Sequence, residues 1–456
     1  MKRIQRYFFA ILIVLSMMLL SACGQSGQPT DHAVPPEATN QSNTTNTTQS
    51  SDRSETDPSH NTAEFSSSAV PASNSPVPSN RVSVKRYGES SIVQSENGIY
   101  AVAQAKVNDR SEEVGVSSRY GDFVLYCDKD SDEFVFLCGR PECPHNDENC
   151  DAFLGNILRP IGYYKGRLFY VTTPAPTSND TLMLCCMDAD GRNKHELTSL
   201  YSKDNTAVKG AGFVFFTDGY FQIGLQSLDK EGNIQVNQRY CSLDDPEIPV
   251  DTAMEKKHPG AGAGMISSSN GNTILVLDYL EGDQSLSEQG TKLYEYVYAW
   301  DPVSNTLEPL GDRKNQVSGY FNETGGYYIE DGVIRQWNYK TKEGKDLFDT
   351  GLRGNLILNC YPDCLVISET CSVEEQADTI SLWFYDWDYK SIGECKVSFE
   401  EARWYPIIVM SETEKRIILG DPVRNDLPIW YIEKSDFGTG TIILHEYHYP
   451  EMDLLD

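Results

Sequence analysis

Three cysteines and a histidine fall within thirteen residues in the run Leu137-Cys138-Gly139-Arg140-Pro141-Glu142-Cys143-Pro144-His145-Asn146-Asp147-Glu148-Asn149-Cys150. Thiolates and a neutral imidazole are the soft and borderline donors that a tetrahedral zinc takes. Cys138, Cys143, His145 and Cys150 are therefore candidate ligands of one structural zinc. Their spacing, Cys-x4-Cys-x-His-x4-Cys, departs from the common Cys-x2-Cys pair, so zinc-finger geometry is not implied. The same cysteines suit structural disulfides in an oxidising medium. Free thiols are the third reading, and all three stand open at this level.

Other candidate groups carry less. Cys360 and Cys364 flank Tyr361-Pro362-Asp363, a short turn that allows a cross-hairpin disulfide. Cys185 and Cys186 are neighbours on an expected strand and should face opposite ways, while Cys127, Cys241, Cys371 and Cys395 read as core or edge positions. Asp128-Lys129-Asp130-Ser131-Asp132-Glu133 alternates carboxylates like the start of a calcium loop, but it lacks glycine at the sixth position and has Gly139 at the twelfth. It reads as a solvated hairpin tip. His445 and His448, three apart on or after a last strand, should point to opposite faces and not share a ligand. No Gly-x-Ser-x-Gly elbow or His-Glu-x-x-His helix occurs, and Gly260-Ala261-Gly262-Ala263-Gly264 lacks the context of a dinucleotide loop and reads as a connection. No catalytic or cofactor-binding residue is assigned.

The N terminus sets the compartment. Met1-Lys2-Arg3-Ile4-Gln5-Arg6 is cationic, and Phe8 to Leu20 is a mostly apolar run too short to span a bilayer comfortably. Residues 1–22 therefore read as a signal peptide. Its end, Leu20-Ser21-Ala22-Cys23-Gly24, resembles the lipobox of bacterial lipoproteins, which implies cleavage before Cys23 and diacylglycerol on its sulfur. Acyl chains contribute about 0.8 kcal/mol per buried methylene, so the two or three chains that this resemblance implies anchor a protein without a membrane-spanning helix. The expected location is the extracytoplasmic face of the cell membrane, with the membrane a partner through the lipid. With Cys23 lipidated, eleven of the twelve cysteines remain, an odd number that cannot all pair internally.

The whole chain has 38 Lys+Arg against 67 Asp+Glu, a formal charge of −29. Removing the signal takes away Lys2, Arg3 and Arg6 and no acid, so the mature chain is three units more negative. Nucleic acid, which needs concentrated basic surface, is excluded as a partner. The acidity reads as solubility and mutual repulsion.

The segment 23–81 is Ser, Thr, Asn, Pro and Gln with almost no large apolar residue, as in Asn40-Gln41-Ser42-Asn43-Thr44-Thr45. Such composition cannot offset ordering entropy, and the segment is expected to be a disordered tether with a reach on the order of 40 Å. From Val82 to Asp456 aromatic and β-branched residues collect in short runs between turn residues, a β grammar. One unit recurs: an apolar strand entering a polar turn, at Cys127-Asp128, Met187-Asp188, Leu243-Asp244, Trp300-Asp301, Trp337-Asn338, Tyr385-Asp386 and Ile432-Glu433. These turns lie about 40 to 60 residues apart, close to the length of a four-stranded propeller blade. Each unit also contains an upstream apolar strand, expected to be the inner one: Ile99–Val102, Leu168–Val171, Gly212–Phe216, Thr273–Leu277, Gly326–Ile329, Cys364–Ile367 and Arg416–Leu419. The expected fold of 82–456 is all-β, a β-propeller of about seven four-stranded blades, with six or eight blades fitting the same spacing.

This grammar resembles the TolB-like and YWTD-like propellers of lipoproteins from Gram-positive anaerobes, and a similar cysteine–histidine loop after the outer strand of the first blade belongs to that resemblance. A propeller's broad face of loops, with no catalytic pattern legible, leads to the expectation of a binding or scaffold propeller for an extracellular protein or carbohydrate ligand. An enzyme acting on extracellular glycans or peptides, and an envelope sensor or assembly factor, are the alternatives.

Overall fold

The computed structural model describes residues 91–107, 120–173, 182–201, 208–217, 219–228, 234–258, 264–269, 272–280, 293–314, 319–321, 325–361, 363–370, 377–403, 407–420 and 427–452. The signal peptide, Cys23, the tether, Cys371 and the 260–263 connection lie outside them. Among the described residues no helix is long and apolar enough to cross a membrane.

The described residues form seven antiparallel sheets, each from strands consecutive in sequence. The first comprises Ile92–Gln94, Gly98–Lys106, Tyr120–Asp128 and Val135–Phe136, with Phe153–Gly155 also paired to its third strand. The second comprises Ile157–Tyr164, Arg167–Thr172, Met183–Asp188 and His195–Ser199. Five further four-stranded sheets occupy 208–251, 264–314, 319–349, 355–403 and 408–446. A single turn of helix, Ala253–Lys257, follows the third sheet and is capped by Thr252, whose hydroxyl accepts from Glu255 N at 3.0 Å.

Each of the seven recurring sequence units is the third strand of a sheet running into its last turn. The strands expected to be innermost are instead the second strands in six of the seven sheets; Gly212–Phe216 alone lies in a first strand, Val208–Thr217. It is first strands that neighbour one another between sheets, as Ile92–Gln94 does with Ile157–Tyr164 and with Ile408–Glu412. Second strands are paired on both edges and, as in Arg416–Gly420, which is buried throughout, can be covered on both faces, so they carry the apolar runs that stand out in sequence. First strands can be as short as Ile92–Gln94 and leave little trace. The first and second strands of the second sheet meet in a hairpin at Lys165–Gly166, whose φ values of 48° and 75° make the two-residue turn that matches strand twist.

Seven apolar clusters join the sheets in order. Tyr100 and Phe123 of the first meet Leu168 and Met187 of the second. Phe169 and Leu184 meet Phe216 and Phe221 of the third. Tyr240 of the third sheet packs edge-on to Trp300 of the fourth at 4.9 Å, beside Met254 of the helical turn. Val297 meets Tyr328 and Trp337 of the fifth, Ile334 meets Leu358 and Leu365 of the sixth, and Val366 and Phe384 meet Ile417 and Trp430 of the seventh. The last cluster sets Ile418 and Tyr431 of the seventh sheet against Ala101 and Leu125 of the first. Alternate residues of one strand thus serve two neighbours, Tyr100 and Val102 facing the second sheet and Ala101 and Ala103 the seventh. The arrangement is that of a β-propeller.

The Asp128–Glu133 tip is not merely solvated. Lys415 reaches the Asp130 carboxylate and Arg416 donates to the Ser131 carbonyl, both from the seventh sheet. The C-terminal segment continues this seam: Phe134 N donates to His448 O at 2.8 Å and His448 N to Asp132 O at 2.9 Å.

Candidate metal centre

The first sheet positions the cysteine–histidine loop through a single residue of its third strand. Leu137 N donates to Val124 O at 3.0 Å, and Val124 N donates to Ala152 O at 2.9 Å. The chain therefore leaves the sheet edge after Val135–Phe136 and returns through Ala152, on the same Val124, to Phe153–Gly155 opposite Phe123 and Asp122. Everything between is an insertion in the sheet's outer strand, and no ladder hydrogen bonds shape it. Tight turns do so instead: Cys143 N donates to Arg140 O at 3.2 Å and Cys150 N to Asp147 O at 3.2 Å.

These turns bring together all four residues that the sequence singled out. One donor atom from each of Cys138, Cys143, His145 and Cys150 lies within 4.8 Å of the others, a group that can hold a metal ion. His145 Nδ1 and Cys150 Sγ are 3.4 Å apart. His145 reaches this place with a φ of 53°, and its ring stacks on Phe136 with centroids 4.6 Å apart and planes at 16°. In a tetrahedral zinc–thiolate site with Zn–S near 2.3 Å, neighbouring sulfurs stand about 3.8 Å apart. The donors need to draw in by only about 1 Å to meet that, and the donor set is the chemistry of a closed structural site.

The surroundings act unequally on the candidate ligands. Burial alone pushes the Cys138 thiol up, but hydrogen bonds from the backbone of Arg140 and Asp151 and from the Arg140 side chain hold it below the usual thiol range. Partial burial, with the Arg140 charge, holds the His145 imidazole below its ordinary value and hence neutral. Cys150, fully buried, is pushed up to about 12, chiefly by desolvation, in the absence of a cation; a bound divalent ion would reverse that preference. The Arg140 guanidinium lies 3.6 Å from Cys143 Sγ, donates to Asn149 O and pairs with Asp151 at 3.5 Å.

The second sheet grips the loop from the side. Lys194 Nζ donates to Cys150 O at 3.2 Å and to Phe153 O at 2.8 Å. Burial holds its ammonium below the usual lysine range. Gly191, at φ 86°, rests on the other stem, where a Cβ would come within 2.5 Å of Leu137 O. Sequence reading had no signal for Lys194, because it lies 44 residues from Cys150.

The remaining candidates resolve individually. Cys360 and Cys364 are both buried and face different clusters, the fifth–sixth and the sixth–seventh. Pairing across the hairpin sets Cys360 against Leu365, not Cys364, and the cross-hairpin disulfide that the spacing allows is not formed. Cys185 and Cys186 face opposite sides, as alternation requires. Cys186 has a partner that sequence reading missed: its Sγ lies 3.4 Å from His195 Nε2 across the ladder, with the thiol wholly buried. Cys127, Cys241 and Cys395 are buried. His445 stacks on Tyr431 at 4.9 Å, whereas His448 bridges to Glu133.

No family model matches the chain, and no curated protein is similar to it. Similar solved structures include the β-propeller domain of the trilobed protease from Pyrococcus furiosus, 9% identical over 83% of this chain and 99% of that one, with a TM-score of 0.42. A Pyrococcus horikoshii acylaminoacyl peptidase is 10% identical over 79% of this chain and 53% of its own length, with a TM-score of 0.42. An oligogalacturonate lyase in complex with manganese is 10% identical, covering 81% of this chain and 97% of that one, with a TM-score of 0.37.

Proposed function

We propose that this protein is an exported lipoprotein, anchored through Cys23 on the extracytoplasmic face of the cell membrane, whose propeller is a binding or scaffold module for an extracellular protein or carbohydrate. Seven blades in a closed ring are part of this proposal, supported by the seven clusters that join successive sheets and the last sheet to the first. One zinc held by Cys138, Cys143, His145 and Cys150 is its structural cofactor, supported by the donor set and its 4.8 Å span. The metal would supply folding free energy to a loop with little apolar area of its own.

One observation carries the binding role. The connection between second and third strands ranges from two residues, 331–332, to the thirteen of 107–119, while the sheets themselves keep one pattern. A constant frame with connections of variable length is how recognition loops are mounted on a scaffold.

The anchor rests on Leu20-Ser21-Ala22-Cys23 directly after the apolar run. In a Cys23→Ala variant the protein should move from the membrane fraction to the soluble fraction, because the lipid is the one anchor identified. Quantitative sedimentation of the alanine variant with membranes would overturn the lipoprotein reading. Replacing 107–119 by a two-residue turn should abolish binding on a glycan or envelope-protein array while leaving the melting temperature within a few degrees. Unchanged binding by variants shortened in each long connection would remove the scaffold reading.

A further inference from the structure

We propose that the cysteine–histidine loop is an oxidation-labile metal site, in which a hydroperoxide joins Cys138 to Cys143 as a disulfide and frees the metal. This rests on the metal reading above and adds its regulation. The three thiols are unequally placed. Cys150 is fully buried, whereas Cys138 and Cys143 are half-buried. Cys143 also lines an open surface cleft with Arg140, Glu142, Pro144, Asp147 and Asn149, so this residue is on the side of the loop that a small oxidant approaches from solvent.

The backbone allows the outer pair to join and holds the inner pair back. The turn that closes with Cys143 N on Arg140 O folds Cys143 back toward Cys138, whose sulfur is within the same 4.8 Å span. A disulfide needs the sulfurs at about 2.05 Å, and the residues between them form no strand that must break. Cys150 is tied at three points, by Asp147 O on its N–H and by Lys194 Nζ and Phe153 N on its carbonyl. It stays where it is while the outer turn moves.

The chemistry balances in two steps. The Cys143 thiolate attacks one peroxide oxygen; the O–O bond breaks, a sulfenic acid forms, and the hydroxide or alkoxide released takes a proton from solvent. The Cys138 thiolate then attacks the Cys143 sulfur; the S–S bond forms, the S–O bond breaks, and the departing hydroxide takes a second proton. Two thiolates give up two electrons to one peroxide, and for hydrogen peroxide the products are one disulfide and two waters. His145 and Cys150 alone do not retain the ion, since structural sites need four ligands.

The test uses the full-length chain purified anaerobically, with its zinc content measured first. Hydrogen peroxide is then added in the presence of a chromogenic zinc chelator, and disulfides are mapped by peptide mass spectrometry. About one equivalent of zinc should be released per chain, with Cys138–Cys143 as the new disulfide, and dithiothreitol with added zinc should restore the starting state. Cys143→Ser removes a ligand and weakens zinc binding, so it is compared with its own peroxide-free control: the extra release that peroxide causes should fall at least tenfold, and no Cys138 disulfide should appear. Wild type is informative by itself if that variant does not fold. Absence of zinc from reduced protein would defeat the metal reading instead. Zinc retained under excess peroxide, or a disulfide that uses Cys150, would overturn the oxidation proposal while the metal reading stood.

Discussion

His145 separates a metal site from a disulfide framework, because it can be a ligand but cannot be a half-cystine. Reduced wild-type protein is expected to carry about one equivalent of zinc, and a chelator should lower its melting temperature, since metal binding is folding free energy for this loop. His145→Ala should lower the zinc content measured by plasma mass spectrometry and weaken retention by about tenfold or more. Zinc content untouched by the substitution would remove His145 from the ligand set. Asp122 is a second residue with a readable consequence. It is nearly fully buried, its Oδ2 accepts from Ile157 N at 3.0 Å, and among the described residues Oδ1 has no donor. Burial raises its carboxyl to about 6 from 3.8. A folded-state value above the unfolded one means that the protonated form stabilises the fold; that contribution is complete below about pH 4 and is lost as pH rises through 6. At about 1.4 kcal/mol per unit it amounts to on the order of 3 kcal/mol. Asp122→Asn, which keeps the acceptor for Ile157, should flatten the stability profile between pH 4 and 6. An unchanged slope in urea titrations across that window would show that Asp122 is not its source.

At the scale of elements, the cysteine–histidine loop is an insertion in the first sheet held by the second. Its stems meet opposite Val124, and Lys194 and Gly191 of the second sheet close upon them. Lys194→Met removes a charged donor from two carbonyls while keeping most of the apolar stem. It should cost about 1–3 kcal/mol, speed amide exchange at Cys150 and Phe153, and hasten zinc loss to a chelator, with Lys194→Arg restoring part of each. Exchange confined to the second-sheet turn, with the loop unaffected, would show that the lysine supports its own strand only. Register decides just as sharply in the sixth sheet: alternation sends Cys360 and Cys364 to different clusters, which a count of intervening residues does not reveal.

For the whole molecule, the seam between the first and seventh sheets brings together the two ends of the described region. It is built from Ile418 and Tyr431 against Ala101 and Leu125, the Phe134 ring against Tyr447 and Tyr449 at 5.2 Å each, and the Lys415 and Arg416 contacts to the Asp130–Ser131 tip. Ending the chain after Glu446 removes both tyrosines and the His448 hydrogen bonds. Such a chain is expected to lose about 3–5 kcal/mol or more, comparable to deleting one large buried aromatic residue, and to be cut by protease first at this seam. A melting temperature equal to that of the full chain would mean that the clusters elsewhere suffice to hold the ends together.

The all-β character, the recurrence of one unit and the membership of the cysteine–histidine cluster were legible in the residues themselves. They depend on period, turn chemistry and donor type, which are local properties. All seven third strands with their turns stood out because an apolar run meets a turn residue at each. The order of strands within a sheet did not: first strands such as Ile92–Gln94 and Gly319–Phe321 are three residues long and carry no pattern, while the apolar second strands drew attention to themselves. Nor did anything local foretell Lys194 on Cys150, Lys415 on Asp130, or Cys186 beside His195. Those contacts join residues 44, 285 and 9 positions apart, and they exist because sheet register and sheet-to-sheet packing set side chains together that share no pattern along the chain.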